Sequence, residues 1–562
     1  MMNRQTMNEP FSVFNRTQSL EQMAAQKLDV LVIGGGITGA GIALDAASRG
    51  LSLGLIEMQD FAGGTSSRST KLVHGGLRYL KNLEIAVVAE VGKERGIVYE
   101  NGPHVTTPEW MLLPLYAGGS MGKFTTSIGL RLYDFLAGVK KTERRKMLNV
   151  EQTLAKEPLL KNEGMKGGGY YVEYRTDDAR LTIEVMKKAR ELGSIAVNYA
   201  KAEYLIYDAQ KIIIGVAVRD LLSDKIYELY ASKIINATGP WVDELREQDG
   251  SKQGKTLRLT KGVHLVFDGL RFPLQQAIYF DTADGRMAFA IPREGKTYLG
   301  TTDTNYTSDT ANPVTTDTDR KYLLAVANDM FPSLKLTDQD IESSWAGLRP
   351  LIQQEGKSPS EISRRDEIFV SESGLISIAG GKLTGYRKMA EDVVNKTVEL
   401  MKADGLKELP NHTSTRHIPI SGGDFGGSAK MEAYVQAQVA VGVQQGLSKE
   451  LAILLARRFG SNVPIVFDLA KESVVWGKSF GLTELPAIML QYAMRYEMAA
   501  KPVDYFIRRT GDMFFRINDV ITWREPVLSA MNAELGWTEE QLAQYTAELD
   551  RKIDEAKNSH QE

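Results

Sequence analysis

The stretch VLVIGGGITGAGIALDAASRGLSLGLIE, residues 30–57, decides the fold. Its first four residues form an uninterrupted apolar run, which is typical of a strand buried on both faces of a sheet. Three consecutive glycines end this run, and apolar residues then recur at helical spacing until about Gly50. A second apolar strand ends at Glu57. The order strand, glycine turn, helix, strand predicts one βαβ unit of about 30 residues.

The glycines of this unit fit the dinucleotide-binding pattern G-x-G-x-x-G, with Gly34, Gly36 and Gly39 at its fixed positions. They permit, in turn, a tight turn, close approach of the backbone to a pyrophosphate, and close packing of the helix on the strand. The helix N-terminus, which includes Thr38, offers free N–H groups to phosphates. Glu57 can accept hydrogen bonds from ribose hydroxyls, which favours FAD or NAD over NADP. The fingerprint alone does not separate FAD from NAD.

A second candidate cofactor segment, residues 61–80, follows directly after the strand that ends at Glu57. It is rich in glycine and hydroxyl residues, which can satisfy a ribityl chain and the edge of a flavin ring. A nicotinamide-only enzyme needs no such second loop, so the segment favours FAD. The chain also returns to strand-end glycines later. Candidate cofactor residues from these segments are Thr65, Ser66, Ser67, Ser69, Lys71, Leu72, His74, Gly239, Gly381, Lys382, Leu383 and Thr384.

The composition excludes several classes of protein. The chain has 562 residues, 68 Lys and Arg against 71 Asp and Glu, and no cysteine. The near-neutral charge is untypical of a dedicated nucleic-acid binder, and the missing cysteines exclude disulfide frameworks, cysteine-based zinc sites and thiol nucleophiles. We predict no metal site. No apolar run reaches the roughly 20 residues of a membrane span. We therefore expect a cytoplasmic protein. The sequence leaves open whether it attaches peripherally to the inner face of the cytoplasmic membrane and whether it forms a homodimer.

Several motifs, taken in order, resemble those of the FAD-dependent glycerol-3-phosphate dehydrogenases. These are the aerobic, quinone-linked enzymes of the D-amino-acid-oxidase-like flavoprotein fold. The resemblance covers about residues 28–560 and implies an α/β Rossmann-type FAD-binding domain, a β-rich substrate domain and an all-α C-terminal domain. The matching motifs are residues 34–39, 66–80, 236–241, 300–303, 347–350, 380–388 and, in the helical tail, 502–510.

The resemblance implies oxidation of sn-glycerol 3-phosphate to dihydroxyacetone phosphate, by hydride transfer from C2 to FAD. The electrons would pass to a membrane quinone, in glycerol catabolism. The alternative is the related glycerol-3-phosphate oxidase, which reduces O2 to H2O2. Those oxidases carry an added segment after the Gly-Leu-Arg-Pro motif, whereas here Gly380 follows Pro350 by only 30 positions. This spacing favours the dehydrogenase, and the motifs for a phosphate-bearing substrate disfavour a non-enzymatic nucleotide-binding regulator.

The rest of the chain divides by its patterns. Strand signals dominate residues 195–239 and 257–304, and helical segments such as 431–441 and 449–459 follow a linker rich in Pro and Gly. We predict a discontinuous FAD-binding domain at 28–100, 181–250 and 346–401, a substrate-binding domain at 101–180 and 251–345, a linker at 402–425 and a helical C-terminal domain at 426–562.

The implied reaction needs a base for the C2 hydroxyl proton. With no cysteine and six histidines, the candidates are few. The resemblance implies that His74 and His264 both approach the substrate. We favour His74 as the base and keep His264 as the alternative. Lys382 follows two glycines at a predicted helix start, where it would bind substrate or help the helix dipole to stabilise the anionic reduced flavin.

The substrate phosphate is a dianion and needs fixed positive donors. Arg349 is the best candidate because it lies in a Gly-Leu-Arg-Pro turn, where its guanidinium could bind two phosphate oxygens. The resemblance supports further phosphate-binding candidates, and Arg364 is an alternative to its neighbour Arg365 among them. These further candidates are Arg78, Tyr79 and Arg365.

Overall fold

The computed structural model describes residues 10–74, 85–119, 144–354, 366–405 and 414–561. The strands are β1 (Lys27–Ile33), β2 (Leu53–Ile56), β3 (Leu72–Val73), β4 (Thr106–Tyr116), β5 (Lys146–Leu148), β6 (Met165–Thr176), β7 (Ile195–Val197), β8 (Ala200–Tyr207), β9 (Ile213–Asp220), β10 (Ile226–Asn236), β11 (Lys255–Asp268), β12 (Ala277–Asp281), β13 (Met287–Arg293), β14 (Lys296–Gly300), β15 (Thr304–Asn305), β16 (Ile341–Gln354), β17 (Glu367–Val370) and β18 (Ile376–Ala379).

The α-helices are α1 (Arg16–Ala24), α2 (Ile37–Ser48), α3 (Ile85–Asn101), α4 (Val150–Lys156), α5 (Asp178–Glu191), α6 (Val242–Gln248), α7 (Asp317–Met330), α8 (Tyr386–Ala403), α9 (Met431–Gln444), α10 (Lys449–Phe459), α11 (Val463–Lys478), α12 (Glu484–Tyr496), α13 (Asp512–Phe515), α14 (Ile517–Leu535) and α15 (Glu539–Lys557). A π-helix, Asp504–Arg509, precedes α13. Among the described residues, no helix is both long and apolar enough to span a lipid bilayer.

The first sheet has the order β17-β18-β10-β1-β2-β7, and β9 and β8 extend it from β10. Strand β1 runs parallel to both β10 and β2, so the predicted βαβ unit forms the centre of this sheet. Helices α5 and α8 pack against α2 on one face, while α1 packs against β10 and β7. The sheet is therefore covered by helices where its strands are most apolar, as parallel sheets require.

The sequence pattern predicts two strands here, residues 226–230 and 233–239, whereas the structure has the single strand β10. In the structure it is continuous: its first part pairs antiparallel with β9, and its second part pairs parallel with β1. Ser232 and Lys233 are half-buried at the point where the strand passes from one pairing to the other. Their polarity reflects this partial exposure and not a turn.

The second sheet has the order β15-β11-β14-β13-β12-β4-β6-β3, with β16 paired to β11 and β5 paired to β6. Several predicted domain boundaries fall inside elements of the structure: the boundary after residue 180 lies in α5, the one after residue 345 in β16, and the one after residue 401 two residues before the end of α8. The reason is that β16 pairs with β11 along nearly its whole length, so no break in structure accompanies the change in sequence pattern.

The C-terminal helices α9–α15 share one continuous apolar core with a face of the second sheet. Trp345 of β16 and Tyr298 of β14 belong to this core together with Phe514 and Phe515 of α13. The helical region is thus separate in its sequence pattern but packed against the sheet in the structure.

Candidate active site

A cavity of about 700 Å³ lies where the carboxyl ends of β1, β2, β10 and β18 meet the second sheet. Its walls come from the glycine turn after β1, the loop between β2 and β3, the turn before α8, and β11, β13 and β16. A crevice at the carboxyl ends of parallel strands is the usual ligand site of open α/β sheets.

The glycine turn presents bare backbone to this cavity. A Cβ on Gly34, whose φ is 114°, would lie 2.5 Å from the carbonyl oxygen of Ala237, and one on Gly39 would lie 1.9 Å from that of Gly34. Gly36 is the N-cap of α2 and carries no capping side chain, and both it and Thr38 line the cavity. The start of α2 can therefore approach an anionic group closely, which fits a pyrophosphate.

Glu57 holds the glycine turn in place. It lies directly after β2, and its two carboxylate oxygens accept hydrogen bonds from the backbone N–H groups of Gly35 (2.6 Å) and Gln59 (2.7 Å). Burial raises the pKa of this carboxyl, and the two backbone hydrogen bonds oppose that effect. The carboxylate also lines the cavity and has lone pairs left for a ribose hydroxyl.

Most predicted cofactor residues lie on the cavity wall: Gly34, Gly36, Thr38, Glu57, Thr65, Ser66, Ser69, Leu72, His74, Gly239, Gly381, Lys382, Leu383 and Thr384. Three do not. Gly39 packs against Gly34, Ser67 is buried behind the loop, and the Lys71 ammonium donates to the Ser67 carbonyl (3.0 Å) and to Asp178 (2.6 Å). Lys71 thus fixes the loop from behind.

Other wall residues are not indicated by the sequence pattern. At one end the strand β8 and helix α6 contribute side chains, and at the other end the second sheet contributes aromatic ones. Their positions depend on which strands become neighbours, for which the local sequence carries no signal. They include Met58, Met111, Tyr171, Glu173, Lys201, Glu203, Glu244, Tyr279, Arg286 and Phe289.

His264 lies on β11 between two cross-strand neighbours. Its ring stacks on that of Trp345 of β16, with centroids 4.7 Å apart and an angle of 11°. On the other side its partner is Gly300 of β14, where a Cβ would lie 2.2 Å from the imidazole Cδ2. Nε2 lies 3.0 Å from the Thr70 hydroxyl. Burial, together with Arg349 and Lys71, holds the pKa of His264 well below its ordinary value, so the ring is neutral.

His74 lies directly after β3 and faces the turn before α8. Its backbone N–H donates to the Thr384 hydroxyl, which donates back to the His74 carbonyl, both at 3.1 Å. Its ring meets the edge of Phe289, with centroids 6.0 Å apart. Burial and then the positive charges of Lys382, Arg95 and Arg349 lower the pKa of His74 to about 3. The imidazole is therefore neutral, and the surrounding cations keep its proton affinity low.

Arg349 lies on β16 opposite Thr260 of β11, four residues after Trp345. Its guanidinium donates to the Thr301 hydroxyl (3.0 Å) and the Thr302 carbonyl (3.2 Å) and remains about one-third exposed. Arg349 and Lys382 line the same cavity as His74, and both positive charges lower the pKa of that imidazole. The remaining predicted phosphate-binding residues, Arg78, Tyr79 and Arg365, lie outside the described residues.

Residues 29–387 match the family model described as FAD dependent oxidoreductase. The chain belongs to this family. Residues 413–542 match a second model, described as the C-terminal domain of alpha-glycerophosphate oxidase. Residues 388–412 separate the two matches, and every residue that lines the cavity except Met389 lies within the first.

Full-length relatives of this FAD-dependent oxidoreductase carry a more specific name. The chain is 57% identical over 553 residues to the aerobic glycerol-3-phosphate dehydrogenase of Bacillus subtilis (strain 168), covering 98% of this chain and 99% of the relative. It is 54% identical over 554 residues to that of Staphylococcus aureus (strain USA300), covering 98% of each. The solved structure of glycerol-3-phosphate dehydrogenase from Bacillus halodurans complexed with FAD superposes with a TM-score of 0.85 at 49% identity, covering 98% and 99% of the two chains.

These matches confirm the fold class and the cofactor that the sequence predicts for this FAD-dependent oxidoreductase. The architecture is a D-amino-acid-oxidase-like FAD-binding fold with a second mixed sheet and an all-helical C-terminal region. The site fits FAD on its own geometry, because the start of α2, whose N-cap Gly36 has no capping side chain, and the Glu57 carboxylate both lie on the cavity wall. The resemblance drawn from the motifs is confirmed along nearly the full chain.

Proposed function

We propose that this chain is an FAD-dependent glycerol-3-phosphate dehydrogenase. It would oxidise sn-glycerol 3-phosphate at C2 to dihydroxyacetone phosphate and pass the electrons to a membrane quinone, in glycerol catabolism. The observation that carries the proposal is the pairing of two cations, Arg349 and Lys382, with two neutral histidines on the wall of a dinucleotide cavity. The names of the full-length relatives support it.

The cations have the chemistry to hold the substrate phosphate. Hydrogen bonds to Thr301 and Thr302 and an ion pair with Asp303 (3.4 Å) fix the Arg349 guanidinium, and its partial exposure lets phosphate oxygens reach this cation. Lys382 adds a second positive charge beside the same imidazole. A dianion bound between these cations would offset their effect and raise the proton affinity of the nearby histidine. Substrate binding would thus strengthen the base that the reaction needs.

His74 is the better candidate for that base. The His264 Nε2 is held by the Thr70 hydroxyl, and its Nδ1 is buried without a hydrogen-bond partner. In the part of the chain that the structure describes, no side chain holds the ring of His74, which also lines the cavity. We therefore assign His74 to accept the C2 hydroxyl proton and His264 to orient the substrate. His264 stays the alternative base.

The glycine turn, Glu57 and the loop between β2 and β3 would hold the adenosine and pyrophosphate of FAD. The turn before α8, with Lys382 and Thr384, would face its redox-active part. When bound, FAD supplies the acceptor for the hydride that leaves C2. Lys382 lies at the N-terminal end of the 3₁₀ turn that leads into α8, where its charge and the helix dipole would favour an anion.

Delivery of electrons to a quinone would bring the protein to the inner face of the cytoplasmic membrane. Exposed apolar side chains on the consecutive helices α9, α10 and α11 support such a peripheral contact. They are Val441, Val443, Leu454, Ile465 and Val475. Flotation with quinone-containing vesicles tests this part, since replacement of these side chains by serine should reduce vesicle binding and leave flavin reduction by substrate unchanged. A homodimer remains a prediction.

The reaction is tested by anaerobic titration of the holoprotein with sn-glycerol 3-phosphate. We expect one equivalent of substrate to bleach the flavin absorbance and yield one equivalent of dihydroxyacetone phosphate, and glycerol to have no effect. A soluble quinone should then restore the absorbance. Absence of bleaching would refute the proposal. Stoichiometric peroxide from O2 without quinone would instead establish the oxidase.

A further inference from the structure

The C-terminal segment of residues 504–515 contacts two residues that lie behind the wall of the active site, Asp60 and Trp345. It consists of the π-helix Asp504–Arg509, a turn at Gly511 in the left-handed region (φ 78°), and α13. This segment overlaps the part of the helical tail that resembles the family, and neither the cofactor chemistry nor the substrate chemistry described above assigns it a role.

The first contact is a buried ion cluster on Asp60, three residues after Glu57. The Asp60 carboxylate accepts hydrogen bonds from Arg508 (2.5 Å) and, at 2.7 and 2.9 Å, from the two terminal nitrogens of Arg509. Asn198 donates to it as well, at 2.9 Å. Burial would raise the pKa of Asp60, but the two guanidinium groups outweigh this and hold it at about 2. Asp60 is therefore a charged anchor of the loop.

This anchor lies in the loop that holds the cofactor side. The carbonyl of Glu57 accepts from the Ala200 N–H (2.7 Å), and that of Gln59 accepts from the Tyr199 N–H (2.8 Å). The Tyr199 hydroxyl in turn donates to Asp504 (2.6 Å). Residues 57–60 are thus fixed between the start of β8 and the C-terminal segment, and the Glu57 carboxylate fixes the glycine turn.

The second contact lies behind His264. Phe514 and Phe515 pack on Trp345, with ring centroids 5.1 and 5.7 Å apart, and the Ser343 hydroxyl donates to the Phe514 carbonyl (2.5 Å). Trp345 stacks on His264 and donates from its indole N–H to the carbonyl of Ser69. The C-terminal segment therefore supports the ring that supports His264.

We propose that residues 504–515 are a positioning element of the active site. Through Asp60 they hold the Glu57 loop in the geometry that binds FAD, and through Trp345 they hold the imidazole of His264 in line with the cavity. The cofactor half requires only that FAD binds. The His264 half rests on the proposed function. The helical domain would then be required to complete a site whose lining belongs to the other two regions.

The cofactor half is tested with apoprotein and free FAD. We expect Arg509→Gln to raise the FAD dissociation constant at least about tenfold and Arg509→Lys to restore part of the affinity, because lysine keeps the charge. The control Arg524→Gln removes an exposed ion pair with Asp550 in the same helical region and should change nothing. Urea unfolding of each apoprotein gives its folded fraction. An unchanged dissociation constant for the folded fraction of Arg509→Gln would overturn this half.

The His264 half is tested by a double-mutant cycle on anaerobic, single-turnover flavin reduction by sn-glycerol 3-phosphate. Trp345→Phe and Phe514→Leu should each slow reduction about tenfold in the native background and less than about twofold in His264→Gln, with FAD affinity unchanged. Trp476→Phe, in an aromatic pair with Phe480 elsewhere in the helical region, is the matched control.

Equal slowing in both backgrounds would show that Trp345 does not act through His264 and would overturn this half. Flavin of the native protein that is not bleached by substrate would refute the proposed function instead. In that case the FAD dissociation constants still decide whether the segment holds the cofactor loop.

Discussion

The two ends of the cavity are built in different ways. The cofactor end consists mainly of backbone groups. The glycine turn, the start of α2 and Glu57, whose carboxylate holds the turn, all come from one contiguous stretch, residues 34–57. The second-sheet end is side chains, and its central stack joins His264, Gly300 and Trp345, which meet only because β11 pairs with both β14 and β16. Local spacing therefore specifies the first end, whereas strand register across most of the chain specifies the second.

The strongest way to break the cofactor end is to add a side chain at Gly39. Gly39→Val would place its Cβ inside contact distance of the Gly34 carbonyl oxygen, so helix and turn cannot pack. We expect loss of bound FAD, with an affinity at least about 100-fold weaker, measured by the flavin absorbance of purified protein. Gly96→Val on α3 is the control, since nothing lies within 4 Å of a Cβ there and its φ is not positive. Full FAD occupancy in Gly39→Val would contradict the backbone account of this end.

At the second-sheet end, we expect substrate binding by Arg349 to be lost without loss of FAD. Arg349→Ala removes a fixed guanidinium, and the lost charged hydrogen bonds to phosphate should cost about 3 kcal/mol, or roughly 100-fold in kcat/KM. The loss should appear in KM for sn-glycerol 3-phosphate, while FAD occupancy stays complete. Arg258→Ala, on β11 and bonded to Asn305, controls for removal of an arginine from the same sheet. An unchanged KM would remove Arg349 from the phosphate site.

The position of His264 in its stack with Trp345 is tested by adding one methyl group at Gly300. The Cβ of Gly300→Ala would overlap the His264 ring, so the ring must shift. Overpacking of this kind typically destabilises the native arrangement by about 2 kcal/mol. We expect flavin reduction to slow roughly 30-fold, with FAD affinity unchanged. Gly96→Ala on α3 has open space around it and should leave the rate as it is. If Gly300→Ala also kept the native rate, the position of His264 would not matter for the reaction.

Because local spacing specifies the cofactor end and strand register specifies the second-sheet end, the sequence predicts the first end better than the second. Gly34, Gly36 and Glu57 can be placed from spacing alone, because helix period and strand length fix their relation over 30 residues. The positions of the side chains in the loop after β2 are harder to predict from the sequence. Its residues Ser66 and Ser69 line the cavity, but Lys71 turns inward to Asp178, a partner more than 100 positions away at the start of α5. No local pattern reports such a partner.

The supports of the second-sheet end carry still less sequence signal. Trp345 precedes the Gly-Leu-Arg-Pro motif by only two residues, yet its contact with His264 follows from the register of β16 on β11. Phe514 and Phe515 look like ordinary core residues of a helical domain, because apolar spacing does not say which neighbour a ring will meet. The predicted domain boundaries after residues 180 and 345 lie inside α5 and β16 for the same reason.

The two ends should also respond in opposite directions to pH in the apoprotein. At the second-sheet end, unfolded histidine binds a proton below about pH 6.5, whereas folded His74 does so only near pH 3. The unfolded state therefore takes up protons first, and the free energy of unfolding falls as pH drops below 6.5, by at most about 1.4 kcal/mol per pH unit for each such histidine. At the cofactor end the pKa of Glu57 is raised, so its contribution is complete below the unfolded value and is lost as pH rises through the folded one.

Urea unfolding of the apoprotein between about pH 5 and 7 separates the two contributions. His74→Gln should flatten the fall in stability toward acid pH, because glutamine takes up no proton. Glu57→Gln should instead remove a loss of stability toward higher pH, and His417→Gln, at an exposed position, is the histidine control. A native pH slope in His74→Gln would mean that this imidazole is not held neutral by its burial among Lys382, Arg95 and Arg349, and the second-sheet end would lose its electrostatic distinction from the cofactor end.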